Sequence, residues 1–154
     1  MKRQAAIALG AAALLLLRAR TAEGGEMSTD PGPVEYSPQV KAFAEAIAYA
    51  EGYYAPGNPT PRRLNNPGDL KISSVPNIGK DQYGHLHFAT AADGWLALWR
   101  QLQLIIDGKS RVYTLDMTIA QMGAKYAEAG GVWANNVAAR LNVTTAHKLR
   151  QLLT

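Results

Sequence analysis

The sequence predicts an α+β fold, mainly helical with one small β-hairpin, and three observations carry that prediction. Apolar residues recur at helical spacing behind N-capping signals in several separate stretches. Two short extended runs flank a turn region between residues 70 and 88. The 154 residues are 47% apolar and 18% charged, an ordinary globular composition with room for one hydrophobic core. With no cysteine, that core has neither a disulfide nor a thiolate metal site to hold it, so packing must do so.

The chain opens outside that core. Lys2 and Arg3 precede 14 uncharged residues, Gln4 to Leu17, dominated by Ala and Leu, which read as the positive and apolar regions of an export signal. As a helix this run would measure about 21 Å, short of the roughly 30 Å hydrocarbon core of a bilayer, so a permanent span would need its flanking arginines to snorkel. Residues 1–22 are therefore expected to be a signal peptide or signal-anchor. Export to the periplasm or cell envelope follows, with tethering to the inner membrane as one outcome and cleavage as the other. Residues 23–36 combine Gly and Pro with four acids and no base, a flexible acidic linker. The folded domain is expected over 37–154. From Ser37 onward, 12 basic residues stand against 8 acidic ones. A surplus of four positive charges suits an anionic polymer and is also an ordinary solubility charge, so charge alone gives no case for nucleic acid.

Ser37-Pro38 is an N-cap with proline at the first helical position, and Val40, Phe43, Ala44 and Ile47 continue one helix face up to Gly52. Tyr53 to Asp69 holds four prolines and reads as a long loop of the kind that carries function. Leu70–Ser73 and Tyr83–Phe88 are expected as two strands joined by a turn around Pro76 to Lys80, with Leu86 and Phe88 sharing a face. Thr90-Ala91-Ala92-Asp93 has the form of a capping box, ahead of an amphipathic helix carrying Trp95, Leu98, Trp99, Leu102, Ile105 and Ile106 and ending at Gly108. Its tryptophans are expected in the core. Further helices are expected from Asp116 or Thr118 to Ala127, from Val132 to Leu141 and from Thr145 to Leu153.

Glu51 is the candidate that chemistry singles out. It follows Ile47 by four residues, so it falls on the face that buries Phe43 and Ile47, in the last turn of its helix. Burial and the negative end of the helix dipole both disfavour a carboxylate, raising its pKa toward what a general acid needs near neutrality. The plainer alternative is a solvated acid at a frayed helix end.

Glu51-Gly52-Tyr53-Tyr54, then Arg63-Leu64-Asn65-Asn66-Pro67-Gly68-Asp69-Leu70, then Ala92-Asp93-Gly94-Trp95, together resemble the small lysozyme-like proteins of phages and bacteria. Lys125-Tyr126-Ala127 and Trp133-Ala134-Asn135-Asn136-Val137-Ala138 look like the distal part of the same pattern, so the resemblance runs from about residue 40 to the end. It implies a lysozyme-like fold with the hairpin beside the catalytic helix, a peptidoglycan substrate, and a catalytic glutamate at the position of Glu51. The expected activity is cleavage of the β-1,4 bond between N-acetylmuramic acid and N-acetylglucosamine, by hydrolysis or as a lytic transglycosylase. The apolar leader ahead of such a domain is similar to that of signal-anchor endolysins.

Substrate contacts are expected from Tyr53, Asn65, Asn66, Asp69, Tyr126, Trp133 and Asn136, with Tyr54 and Asn135 nearby, since sugar sites combine flat apolar faces with amide donors and acceptors. Each has a structural alternative. Asn65 and Asn66 would cap the turn before Pro67, Tyr126 and Trp133 would pack the core, and Asn136 would cap a helix. Asp69 is the candidate second carboxylate, read as a turn or saccharide-contact residue in preference to a nucleophile, because the related motif also takes Asn there. His85 and His87 could supply half of a zinc site, but no cysteine or His-Glu-x-x-His completes it, so no metal and no other cofactor are expected. A monomer is expected. The rival to an enzyme is a wall-binding or virion structural module that keeps the fold without the chemistry; a zinc amidase is a third class that the ligand set disfavours.

Overall fold

A computed structural model of the chain describes residues 34–154. The leader and most of the linker expected upstream lie outside the described residues. Among the described residues, no helix is long and apolar enough to cross a membrane. The architecture is α+β, mainly helical, with one two-stranded antiparallel hairpin.

Helix α1 (Pro38–Ala50) starts where Ser37 accepts a hydrogen bond from the Val40 amide at 3.2 Å. It buries Val40, Phe43, Ala44, Ala46, Ile47 and Ala48. The core also takes in Tyr36, which the sequence assigns to the linker; it is buried, with its ring 5.6 Å from that of Trp99. Glu51 caps the C-terminus of α1, and Gly52 follows with φ of +77°, a left-handed turn suited to glycine. The long loop contains a short helix, α2 (Thr60–Arg63). Arg62 pins the loop by donating from Nε and Nη2 to the Tyr53 carbonyl and from Nη2 to that of Ala55.

The hairpin pairs β1 (Gly79–Lys80) with β2 (Leu86–His87), Gly79 opposite His87 and Lys80 opposite Leu86. Leu86 and Phe88 share the buried face as expected. The first strand is not the expected Leu70–Ser73. Leu70 gives one backbone bond to the hairpin, its carbonyl accepting from the Leu86 amide at 2.8 Å. Its own amide is taken by the Asn66 side chain, and Ile72 points into solvent. Asp69, at φ of +49°, also turns the chain out of extended geometry just before.

Helix α3 (Ala91–Ile106) opens on a complete capping box: Thr90 accepts from the Asp93 amide, and Asp93 accepts from the Thr90 amide. Leu98, Leu102 and Ile105 are fully buried, while Trp95 and Trp99 sit half-buried at the margin of the core. Gly94 is required by packing, because a Cβ there would collide with the Asn65 carbonyl. The glycine in the Ala-Asp-Gly-Trp motif is thus what lets the long loop lie against α3.

Helix α4 (Ile119–Tyr126) and helix α5 (Gly130–Arg140) cross closely. A Cβ on Gly123 would lie 2.5 Å from the Gly130 carbonyl oxygen, and one on Gly130 would lie 2.6 Å from that of Gly123. This contact explains why α5 begins at Gly130, two residues earlier than expected. The last helix, α6 (Leu149–Leu153), is shorter than the expected Thr145–Leu153. The preceding carbonyls are spent on α4, Thr145 accepting from Ala120 and His147 from Ile119, which satisfies first-turn amides that a helix leaves unpaired. The result is a bundle in which α1 packs against α3, α5 and α6, while Asp69 of the long loop and His85 ahead of β2 share a cavity wall with Glu51 at the C-terminal end of α1.

Candidate active site

Glu51 is half-buried at the end of α1, where Trp133 on α5 reaches it. Trp133 Nε1 donates to Glu51 Oε1 at 2.8 Å. The Trp133 ring stacks on Tyr126, with centroids 4.7 Å apart and planes at 23°, and the Tyr126 hydroxyl donates to the Gly68 carbonyl at 2.6 Å. The α4–α5 glycine contact therefore sets up a column that ties the acid to the long loop. In front of it lies a cavity of about 430 Å³ lined by Glu51, Asp69, Lys71, His85, Tyr126, Ala127 and Glu128.

Burial pushes the Glu51 carboxyl up to about 7, with the Asp69 charge adding to the rise; the Trp133 hydrogen bond and His85 oppose it. The Trp133 bond also places the proton. An indole N–H can only donate, and the carbonyl oxygen is the stronger acceptor of a neutral acid, so the bond favours Oε1 as the carbonyl oxygen and the hydroxyl on Oε2. Oε2 has no protein partner among the described residues and is not closed off, so the acidic proton faces the cavity.

Across the cavity, His85 stands between two carboxylates. Its Nδ1 lies 3.0 Å from Asp81 Oδ2 and its Nε2 lies 3.2 Å from Asp69 Oδ2. Asp81 is a fixed acceptor, since its Oδ1 takes the backbone amides of Tyr83 and His85 at 2.9 and 2.8 Å. Desolvation works against its charge, but the hydrogen bonds from His85 and Tyr83 outweigh it and hold Asp81 below the usual carboxylate range. With Asp81 ionised, Nδ1 carries a proton, and a second proton must lie between Nε2 and Asp69 for that contact to be favourable. Burial raises Asp69, helped by the Asp81 charge, while His85 and Lys71 pull it down. Asp69 Oδ1 is buried without a hydrogen-bond partner.

The expected site residues are only partly brought together. Glu51, Asp69 and Tyr126 share the cavity wall, with Trp133 bonded to Glu51 from behind. Asn65 lies under the loop, at φ of +52°, donating to the Phe88 carbonyl at 3.0 Å. Tyr53 packs edge-on against Trp95 at 5.7 Å, and Tyr54, exposed, donates to Glu45 Oε2 at 2.5 Å. Asn136 is half-buried on α5 and lines neither this cavity nor its neighbour, and Asn135 is exposed.

Asn66 corrects the expectation placed on it. It is wholly buried, accepting from the Leu70 amide and donating to the carbonyls of Leu70 and Leu86, all within 2.9 Å, so it presents nothing to a ligand. It is the joint between loop and hairpin. Asn66→Ala strands buried backbone groups and is expected to destabilise the fold by about 2 kcal/mol, read from denaturant unfolding.

Sequence reasoning missed Asp81 and Glu128 and considered His85 only with His87 as a metal pair. Among the described residues no cluster of three or more His, Asp or Glu is arranged to hold a metal. The available signal for Asp81 was its position opening the Asp-Gln-Tyr-Gly-His turn, where an aspartate accepts amides two residues on. Compared with protein-family models, with curated proteins and with solved structures, the chain finds no match in any of the three.

Proposed function

We propose that the protein cleaves the glycan strands of peptidoglycan at the N-acetylmuramic acid to N-acetylglucosamine β-1,4 bond, through a lysozyme-like fold with Glu51 as general acid. One observation carries this reading: a carboxyl held at about 7 by burial, its carbonyl oxygen occupied by Trp133 and its hydroxyl open to a cavity. Such a group is protonated often enough near neutral pH to hand a proton to a leaving glycosidic oxygen, and ionised often enough to take one back. The helical body with a hairpin beside α1 is compatible with the fold that the sequence resembles.

The reaction needs the developing positive charge at the sugar carbon to be met from the opposite side. Asp69 supplies a nearby carboxyl whose Oδ2 is held by His85, which Asp81 holds in turn. The electrostatic influence of His85 lowers the pKa of both Glu51 and Asp69. His85→Gln is therefore expected to move the alkaline limb of the rate profile to higher pH, with kcat reduced; an unmoved limb assigns His85 a purely structural part.

Digestion of purified sacculi followed by mass spectrometry of the soluble fragments tests the proposal. Disaccharide-peptides with reducing muramic ends identify a hydrolase, and 1,6-anhydro ends a transglycosylase. Intact sacculi, or fragments cut only at amide bonds, contradict it.

A further inference from the structure

A second cavity, of about 580 Å³, adjoins the first and shares Asp69, Lys71 and Tyr126 with it. Its chemistry differs. Three of the large apolar side chains that the protein exposes, Ile72 at 82%, Val112 at 50% and Leu104 at 39%, line this one cavity. Lys71, Lys109 and Arg111 stand among them, and Lys71 and Arg111 have no carboxylate partner within 4.0 Å among the described residues. Asp69, at the junction with the Glu51 cavity, is the single acid in its wall.

Tyr113, Tyr126 and Gln101 give this wall some of the aromatic and amide surface that sugars use, but the exposed branched aliphatics and unpaired cations set beside them have no counterpart in a neutral sugar ring. They suit a short chain that bears both methyl groups and carboxylates. The shared wall adds a constraint, because a ligand reaching through Asp69, Lys71 and Tyr126 occupies both cavities at once. Under the reading proposed above, on which this inference rests, the first cavity receives the glycan, and the muramic residue of that glycan carries a carboxylate-bearing peptide on its lactyl ether. We propose that this cationic, aliphatic annex binds that stem peptide, so that the protein selects peptide-bearing glycan over bare glycan, with Arg111 as the main carboxylate contact.

The test is titration of the full-length Glu51→Gln protein with two probes, the N-acetylglucosaminyl-N-acetylmuramyl tetrapeptide and the same disaccharide without its peptide. Binding of the first about tenfold tighter than the second is expected, the size of one charge-assisted contact. Adding Arg111→Glu should remove most of that difference, and raised salt should shrink it. Arg140→Glu makes the same change in net charge on the last turn of α5, outside both cavities, and should leave the difference in place. Equal affinity for the two probes, or a preference that Arg111→Glu leaves untouched, overturns the annex. Failure of the glycan reading is separable: if the wild-type protein leaves sacculi intact, the free tetrapeptide is titrated alone. Peptide binding that Arg111→Glu abolishes then sustains the annex as a peptide site, and no binding overturns it too.

Discussion

Glu51→Gln is expected to lower kcat on purified peptidoglycan by about 10³-fold, the range over which a positioned general acid contributes, with little change in KM. Glutamine keeps an oxygen for Trp133 Nε1, so the 2.8 Å hydrogen bond and the packing of the Tyr126–Trp133 column survive the substitution. What is lost is the hydroxyl on the Oε2 side. A variant that folds and binds glycan without cutting it matches the account. Turnover within a few-fold of wild type removes Glu51 from the chemistry and favours a wall-binding module, the non-enzymatic reading of the same sequence.

The same substitution should raise stability at alkaline pH. The folded protein holds the Glu51 proton more tightly than the unfolded chain does, with a pKa of about 7 against an ordinary 4.5. Wild-type Glu51 therefore costs nothing below about pH 4.5, its cost grows between there and about 7 as the unfolded chain ionises while the folded carboxyl does not, and it is full above about 7, where folding must bury a charge. The full difference is up to about 3 kcal/mol. Glutamine is neutral throughout, so unfolding free energies of the two proteins should run parallel below about pH 4.5, diverge between there and about 7, and run parallel again above it, with the variant the more stable. Parallel curves across the whole range would mean that Glu51 is solvated. Under the proposed function, a general acid held at this pKa comes at the expense of fold stability, as is common where activity requires an unfavourable environment.

How far this was legible from sequence depends on the range of the interactions involved. Ser37-Pro38 and Thr90 with Asp93 are local devices, and their caps form where the residues predict them. Ile47 and Glu51, four residues apart on one helix, gave the acid its partly buried setting by periodicity alone. The strand expected at Leu70–Ser73 is absent because the Asn66 amide takes the backbone groups of Leu70 from a position where the sequence offers a turn or a sugar contact equally well. The early part of the expected Thr145–Leu153 helix serves α4 across some 25 residues of chain, which no local pattern announces. His85 and Asp81 were hidden for a related reason. Their link is local, but its meaning depends on Asp69, which a different segment delivers.

The positive φ at Asp69 also accounts physically for the Asn-or-Asp alternation in the motif that the sequence resembles. Both residues tolerate left-handed backbone better than other side chains do, so the position is constrained by conformation as well as by charge. That leaves Asp69 with two roles in one side chain, turning the loop and facing the cavity. Asp69→Asn should preserve the turn and remove the charge that the position brings to the cavity.

A site-specific titration of Glu51 tests the central claim most directly. Carbon-13 NMR of the side-chain carboxyl in the folded protein, read against pH beside the rate of sacculus digestion, gives both quantities on one axis. The account predicts a midpoint near 7, coinciding with the alkaline limb of the rate. A Glu51 carboxyl that titrates near 4.5, fully ionised where the protein works, would contradict it.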